Sequence, residues 1–204
     1  DEVSDYETAR GGGTVVAGDI LFVHRGNSGS TAYDGTITLL DNMSLFGELF
    51  GLSITNPNTA SPLQLVAAGT APVLSVTAGG SDAIVAANSV SIRGVDIDGT
   101  TDDGIQLNNV TGVSVTDVSV NNIGQHGIEV SGASAGLTLS NFDVVGTTAD
   151  GINIDGMTDG LTFQISGTGS SASALNGAGD DAISISNLTS NSGTNSITIT
   201  NSGG

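Results

Sequence analysis

Cysteine, tryptophan and lysine are absent from this chain of 204 residues, and proline occurs only three times. Without cysteine there is no disulfide framework, no thiolate nucleophile and no cysteine-ligated metal. Arg10, Arg25 and Arg93 carry all the fixed positive charge against 17 Asp and 4 Glu, a formal net charge of −18. Such a chain repels phosphate backbones and anionic membrane surfaces, which excludes nucleic acid as a partner. The acidity suits divalent cations, cationic partners or a saline medium, and it also keeps a β-rich body with open edges in solution. No run of 18 apolar residues and no basic opening segment is present, so the chain reads as a mature product or an excised domain that does not itself insert into a membrane.

What is abundant is glycine, 31 residues, together with Ser, Thr, Asn and enough apolar residues (37%) to exclude disorder. These residues are ordered in a repeat. Five times an acidic or imidazole residue is followed by Gly or Ala and then an apolar–x–apolar step. The five are Asp82-Ala-Ile-Val-Ala, Asp103-Gly-Ile-Gln-Leu, His126-Gly-Ile-Glu-Val, Asp150-Gly-Ile-Asn-Ile and Asp181-Ala-Ile-Ser-Ile. The isoleucines fall at intervals of 21, 23, 24 and 31 residues. A period in the low twenties, filled with strand-type alternation, marks a solenoid in which each coil makes one rung.

Within the coil from Asp103 to Gln125, Ile105/Leu107, Val113/Val115 and Val118/Val120 make three short strands. Asn108–Gly112 turns between the first two, and Thr116-Asp117 breaks the second from the third. The next coils repeat this with Ile128/Val130, Leu137/Leu139, Phe142/Val144 and then Ile152/Ile154, Leu161/Phe163, Ile165. Ile183/Ile185 and Ile197/Ile199 begin a last one. The expected fold is all-β, a parallel β-helix with three short strands per rung of about 21–24 residues. Residues 1–13 read as a flexible lead-in and 14–204 as one domain, irregular over 14–80 and regular over 81–204, cut from a longer solenoid. Strands are expected at 18–23, 35–40, 43–47 and 70–76.

These stacked aliphatic rungs resemble the right-handed parallel β-helix of the pectin-lyase-like superfamily. The runs Ala17–His24, Tyr33–Asp41, Leu45–Glu48 and Asn88–Gly99 are similar to β-helical passenger regions of inverse-autotransporter (intimin/invasin-like) proteins. The resemblance implies a bacterial extracellular or cell-surface location. It also implies a passenger, stalk or adhesive role, with a glycan, a protein receptor or another surface as partner.

Equivalent repeat positions place Asp82, Asp103, His126, Asp150 and Asp181 in one column at the interstrand spacing. Three chemistries fit it. Each residue could cap backbone N–H groups at a strand entry, with the following Gly supplying positive φ. Stacked carboxylates could instead hold Ca²⁺, at Asp82, Asp103, Asp150 and Asp181 or in the second cluster Asp96, Asp98 and Asp102 beside Asp103. Finally, Thr148-Ala-Asp150-Gly and Gly179-Asp180-Asp181-Ala resemble elements of polygalacturonase-type glycoside hydrolases, which would make Asp150, Asp180 and Asp181 acid and base. Against this, His126-Gly127 precedes the Asp pair where that family's Gly-His-Gly element follows it, and the Arg-x-Lys clamp cannot exist without lysine. A lyase would need a base, and Arg93 is the one basic residue in the regular rungs.

Aromatic residues are few. Phe142 and Phe163 occupy inward positions, which leaves Tyr6 and Tyr33 as candidates for stacking on a sugar, while His24 reads as a strand-end residue. The long interval before Ile183 holds an inserted loop, Gly167–Gly179. Ile197 and Ile199 keep the core alternation close to the C-terminal residue, so end-to-end stacking into a filament is a further expectation.

Overall fold

The computed structural model describes residues 2–25, 32–55, 58, 60–158, 162–167, 175–176, 178–189 and 196–201. Apolar–x–apolar triplets put alternate side chains inside, and repetition lets each triplet pair with its equivalent one coil later. The result is a parallel β-helix. One face is a six-stranded sheet that stacks Ile37, Ile84, Ile105, Ile128, Ile152 and Ile183 in register. A second face stacks Ser44–Gly47, Ser91–Arg93, the first part of Ser114–Ile123, the first part of Thr138–Thr147, and Thr162–Gly167. A third stacks Tyr33–Asp34, Val73–Ser75, Asp96–Thr100, the second parts of those two long strands, and Leu175–Asn176.

The break expected at Thr116-Asp117 is the bend between the second and third faces, where Asp117 has φ 56°. Every central rung buries its inward pairs fully or nearly so, among them Ile105/Leu107, Val113/Val115 and Val118/Val120. Phe142 belongs to this core as expected; the side chain of Phe163, Leu161 and the inserted residues 168–174 lie outside the described residues.

Three features differ from expectation. The lead-in is a helix, α1 (Glu2–Gly11), with acids early and Arg10 in its last turn, as the helix dipole favours. It lies on the first rung: Val3 is buried, the Tyr6 hydroxyl donates to Thr38 O (2.9 Å), and Thr38 N–H donates to Glu7 Oε1 (2.8 Å). Second, Ile37 is a sixth member of the ladder, hidden in sequence by an excursion between Gly47 and the third-face strand at Val73. That excursion holds a short 3₁₀ turn (Glu48–Phe50) and an antiparallel hairpin, Leu52–Thr55 with Pro62–Val66. Third, Ile165 extends the second face, paired with Ile199, and the third-face partner of Val144 is Leu175. Both insertions therefore leave from the same corner, between the second and third faces. Among the described residues no helix is long and apolar enough to cross a membrane.

Candidate functional site

The column lies where the chain enters the first face, and its side chains are joined from rung to rung. Asp103 N–H donates to Asp82 Oδ1 (3.0 Å), His126 N–H to Asp103 Oδ1 (2.9 Å), Asp150 N–H to His126 Nδ1 (3.2 Å) and Asp181 N–H to Asp150 Oδ1 (3.0 Å). Each side chain thus accepts the backbone N–H of the column residue one coil later. His126 can do so only through an unprotonated Nδ1, with the ring proton on Nε2. The Asp150 Oδ2 atom lies 3.5 Å from the same Nδ1. The backbone bond and the ion pair need opposite states of that nitrogen.

At the first rung Gly35 takes the column position, at φ 131°, because a side chain there would meet Val3 of α1: an added Cβ would lie 3.0 Å from Val3 Cγ1. The glycines after the column residues serve space rather than positive φ, which corrects the sequence expectation. A Cβ on Gly104 would come within 2.5 Å of Gly127 O, and one on Gly127 within 2.3 Å of Val144 Cγ1. Neither glycine is in the left-handed region.

Burial raises the Asp82 and Asp103 carboxyl pKa values above the usual carboxylate range. Asp103 is pushed up to about 8, first by burial, then by a hydrogen bond from its carboxyl group to Glu129 and the charges of Glu129 and Asp82, against the opposing His126 N–H. Burial and the neighbouring acids thus favour the protonated form of Asp103. Glu129 is the residue that reading the repeat missed. It occupies the outward x of Ile128-Glu-Val130, a position held by Gln106 and Asn153 on neighbouring rungs, where nothing in the alternation distinguishes it.

The expected cation set is rearranged, while Asp150, Asp180 and Asp181 come together as the hydrolase resemblance implies. Asp102 joins Asp82 and Asp103, and Asp150 joins Asp180 and Asp181, each trio offering oxygen atoms within 4.8 Å of one another. These are the positions that would hold a cation or supply paired carboxyls. Asp98 instead accepts a hydrogen bond from Asn122 Nδ2 (2.7 Å), and Asp96 lies with Asp117 and Asp143 along a groove on the third face. Arg93 is stacked on Phe46 and Phe50, its guanidinium 5.7 and 4.3 Å from their ring centres, on the second face and away from the column.

The two tyrosines are engaged structurally, Tyr6 in the end cap and Tyr33 donating to His24 O. His24 follows the strand Ile20–Val23, as a strand-end residue does, with Nδ1 3.3 Å from Glu48 Oε2. Glu48 Oε2 also accepts Arg25 N–H (2.7 Å).

Other turns use the same device. Asn88 N–H donates to Asp41 Oδ1 (2.9 Å), Thr111 N–H to Asn88 Oδ1 (3.0 Å) and Ala133 N–H to Asn109 Oδ1 (3.0 Å). A scan against protein-family models and searches among curated proteins and solved structures give no match. The chain is a parallel β-helix whose polar turn residues bind successive coils to one another.

Proposed function

We propose that this chain is a non-catalytic extracellular β-helix module, serving as passenger, stalk or adhesive surface of a bacterial cell-surface protein. One observation carries the reading: four consecutive column side chains accept backbone N–H groups of the following rung, so the residues best placed for chemistry are occupied in holding coils together. Long rows of satisfied polar turns around an aliphatic core suit a body whose job is to extend and present a surface. The cap of α1 over the first rung favours a single elongated unit over an end-to-end filament, since a stacking neighbour would have to displace Val3, Tyr6 and Glu7. Beads coated with the protein and passed over arrays of glycans and extracellular-matrix proteins test the adhesive role. Retention on a defined class of target is expected, and beads that adhere no better than uncoated ones would remove it.

The convergence of Asp150, Asp180 and Asp181 favours one second reading, a polysaccharide-active enzyme. Incubation with polygalacturonate separates the two. No release of reducing ends is expected; release that disappears in Asp181→Asn would establish the hydrolase instead.

A further inference from the structure

The excursion at the corner of the second and third faces belongs to the longest uncharged stretch of the chain. From Leu49 to Ser81 there is no charged residue, within a chain of net charge −18. It also carries much of the exposed apolar surface, with Phe50, Ile54, Leu63 and Leu65 each about half exposed. On the hairpin, Ile54 is opposite Leu63 and Leu65 lies two residues further along the same strand. Strand alternation puts Leu63 and Leu65 on one side, and a two-stranded hairpin of this kind is marginal without something packed on it.

Beside the 3₁₀ turn, Leu49 and Phe50 form one wall of a groove of about 400 Å³. Its floor is the outward row Asp96, Ser119 and Asp143 on three successive rungs, with Asp117 and Asn141 at the bend. The groove lining holds three carboxylates and no basic side chain. Burial raises the Asp96 pKa, and the charges of Asp143 and Asp98 raise it further. Like charges are thus crowded against an apolar wall.

We propose that this corner is a docking surface for a basic polypeptide segment that alternates cationic and apolar side chains, with the cations over Asp96, Asp117 and Asp143 and the apolar groups against Leu49 and Phe50. Charge complementarity selects this occupant. A second copy of the chain would bring a like net charge to the groove, and an anionic surface would be repelled by the whole body. The proposal deepens the adhesive reading and rests on it, by naming the class of receptor segment that the surface takes.

The test is a fluorescence titration of the whole chain with a labelled peptide of alternating Lys and Leu, and with its Lys/Ser counterpart. Binding of the Lys/Leu peptide is expected to weaken about tenfold in Asp96→Asn/Asp143→Asn and in Phe50→Ser, each checked by thermal melting for an intact fold. Asp5→Asn/Asp19→Asn removes the same charge far from the groove and is expected to leave binding nearly unchanged. Equal loss in both double variants, equal affinity for the Lys/Ser peptide, or no binding by the wild type would overturn the proposal. The same variants run in the bead assay keep the two ideas apart. Wild-type beads that adhere, with the groove variants adhering equally well, would sink the groove and leave the adhesive role standing. Beads that adhere to nothing would sink the adhesive role, while the titration still decides the groove.

Discussion

Burial and neighbouring acids favour the neutral form of the Asp103 carboxyl group, and the consequence is a stability that depends on pH in an unusual direction. Its folded pKa is raised from 3.8 to about 8. The folded chain therefore binds this proton more tightly than the unfolded chain does. The associated stability is fully present below the unfolded value and is lost as pH rises through about 8. Melting temperature should fall between pH 6 and pH 9 in the wild type. Asp103→Asn keeps an oxygen acceptor for His126 N–H and presents no charge to Glu129. It should be more stable than wild type at pH 8–9 by on the order of 1–2 kcal/mol, with a flatter pH profile. Asp103→Ala removes the acceptor as well, and should lose about 1–3 kcal/mol relative to Asn by thermal melting at the same pH. A wild type whose melting temperature is constant from pH 6 to 9 would contradict the raised Asp103 pKa.

The column positions were legible in the sequence because one residue type recurs at one place in each repeat. The partnership with Glu129 was not. It depends on which outward side chain leans toward the column across a rung boundary, and the x of an apolar–x–apolar step carries no sign of that. The role of the column was likewise left open between cap, cation site and acid–base pair. The capping contacts themselves are visible only in the distances from side-chain oxygen or nitrogen to the next rung's N–H.

On the scale of single elements, the close approach of coils at the column makes the glycines sensitive. Gly127→Ala places a Cβ 2.3 Å from Val144 Cγ1 and 2.6 Å from Gly151 O. Overpacking at that contact should cost about 1–3 kcal/mol or more, read as a lower midpoint in urea with unchanged slope. The helix α1 offers a second test. Removing residues 1–12 uncovers the backbone groups of Thr38 and the pairing edge of the first rung. The shortened chain should then associate more than the full chain, seen as a higher mass in light scattering; equal masses would show that α1 is dispensable as a cap. The sequence suggests a flexible lead-in here because the buried side of this helix consists of little more than Val3 and Tyr6. That is too short an apolar stripe to stand out, and it becomes meaningful only against the end of a solenoid.

For the molecule as a whole, the net charge of −18 predicts self-repulsion along a narrow body. Raising salt from about 10 mM to about 200 mM should raise the melting temperature, because the screening length falls from roughly 30 Å to under 10 Å. Calcium tests something narrower. A specific site held at 100 times its dissociation constant would add about 2.7 kcal/mol, or roughly 5–10 °C for a chain of this size. Burial favours the neutral form of Asp103, and Asp150 already accepts Asp181 N–H. No difference between Ca²⁺ and chelator beyond the ionic-strength effect is therefore expected, and a shift of that size would restore the cation reading.

Taken alone, the sequence determined that this is a solenoid, how long its rungs are and which side chains fill it. Alternation along a strand and repetition of the strand are local properties, and they are enough to sort inside from outside. The tertiary structure decided what lies next to what across twenty to thirty residues of chain. It placed Ile37 beneath Ile84 despite the intervening hairpin, paired Val144 with Leu175 across the second insertion, and laid α1 on the first rung. It also turned a row of five repeated residues into a chain of hydrogen bonds. The donor to each side chain belongs to the following coil, and that coil's distance in space is set by strand stacking rather than by its distance in sequence.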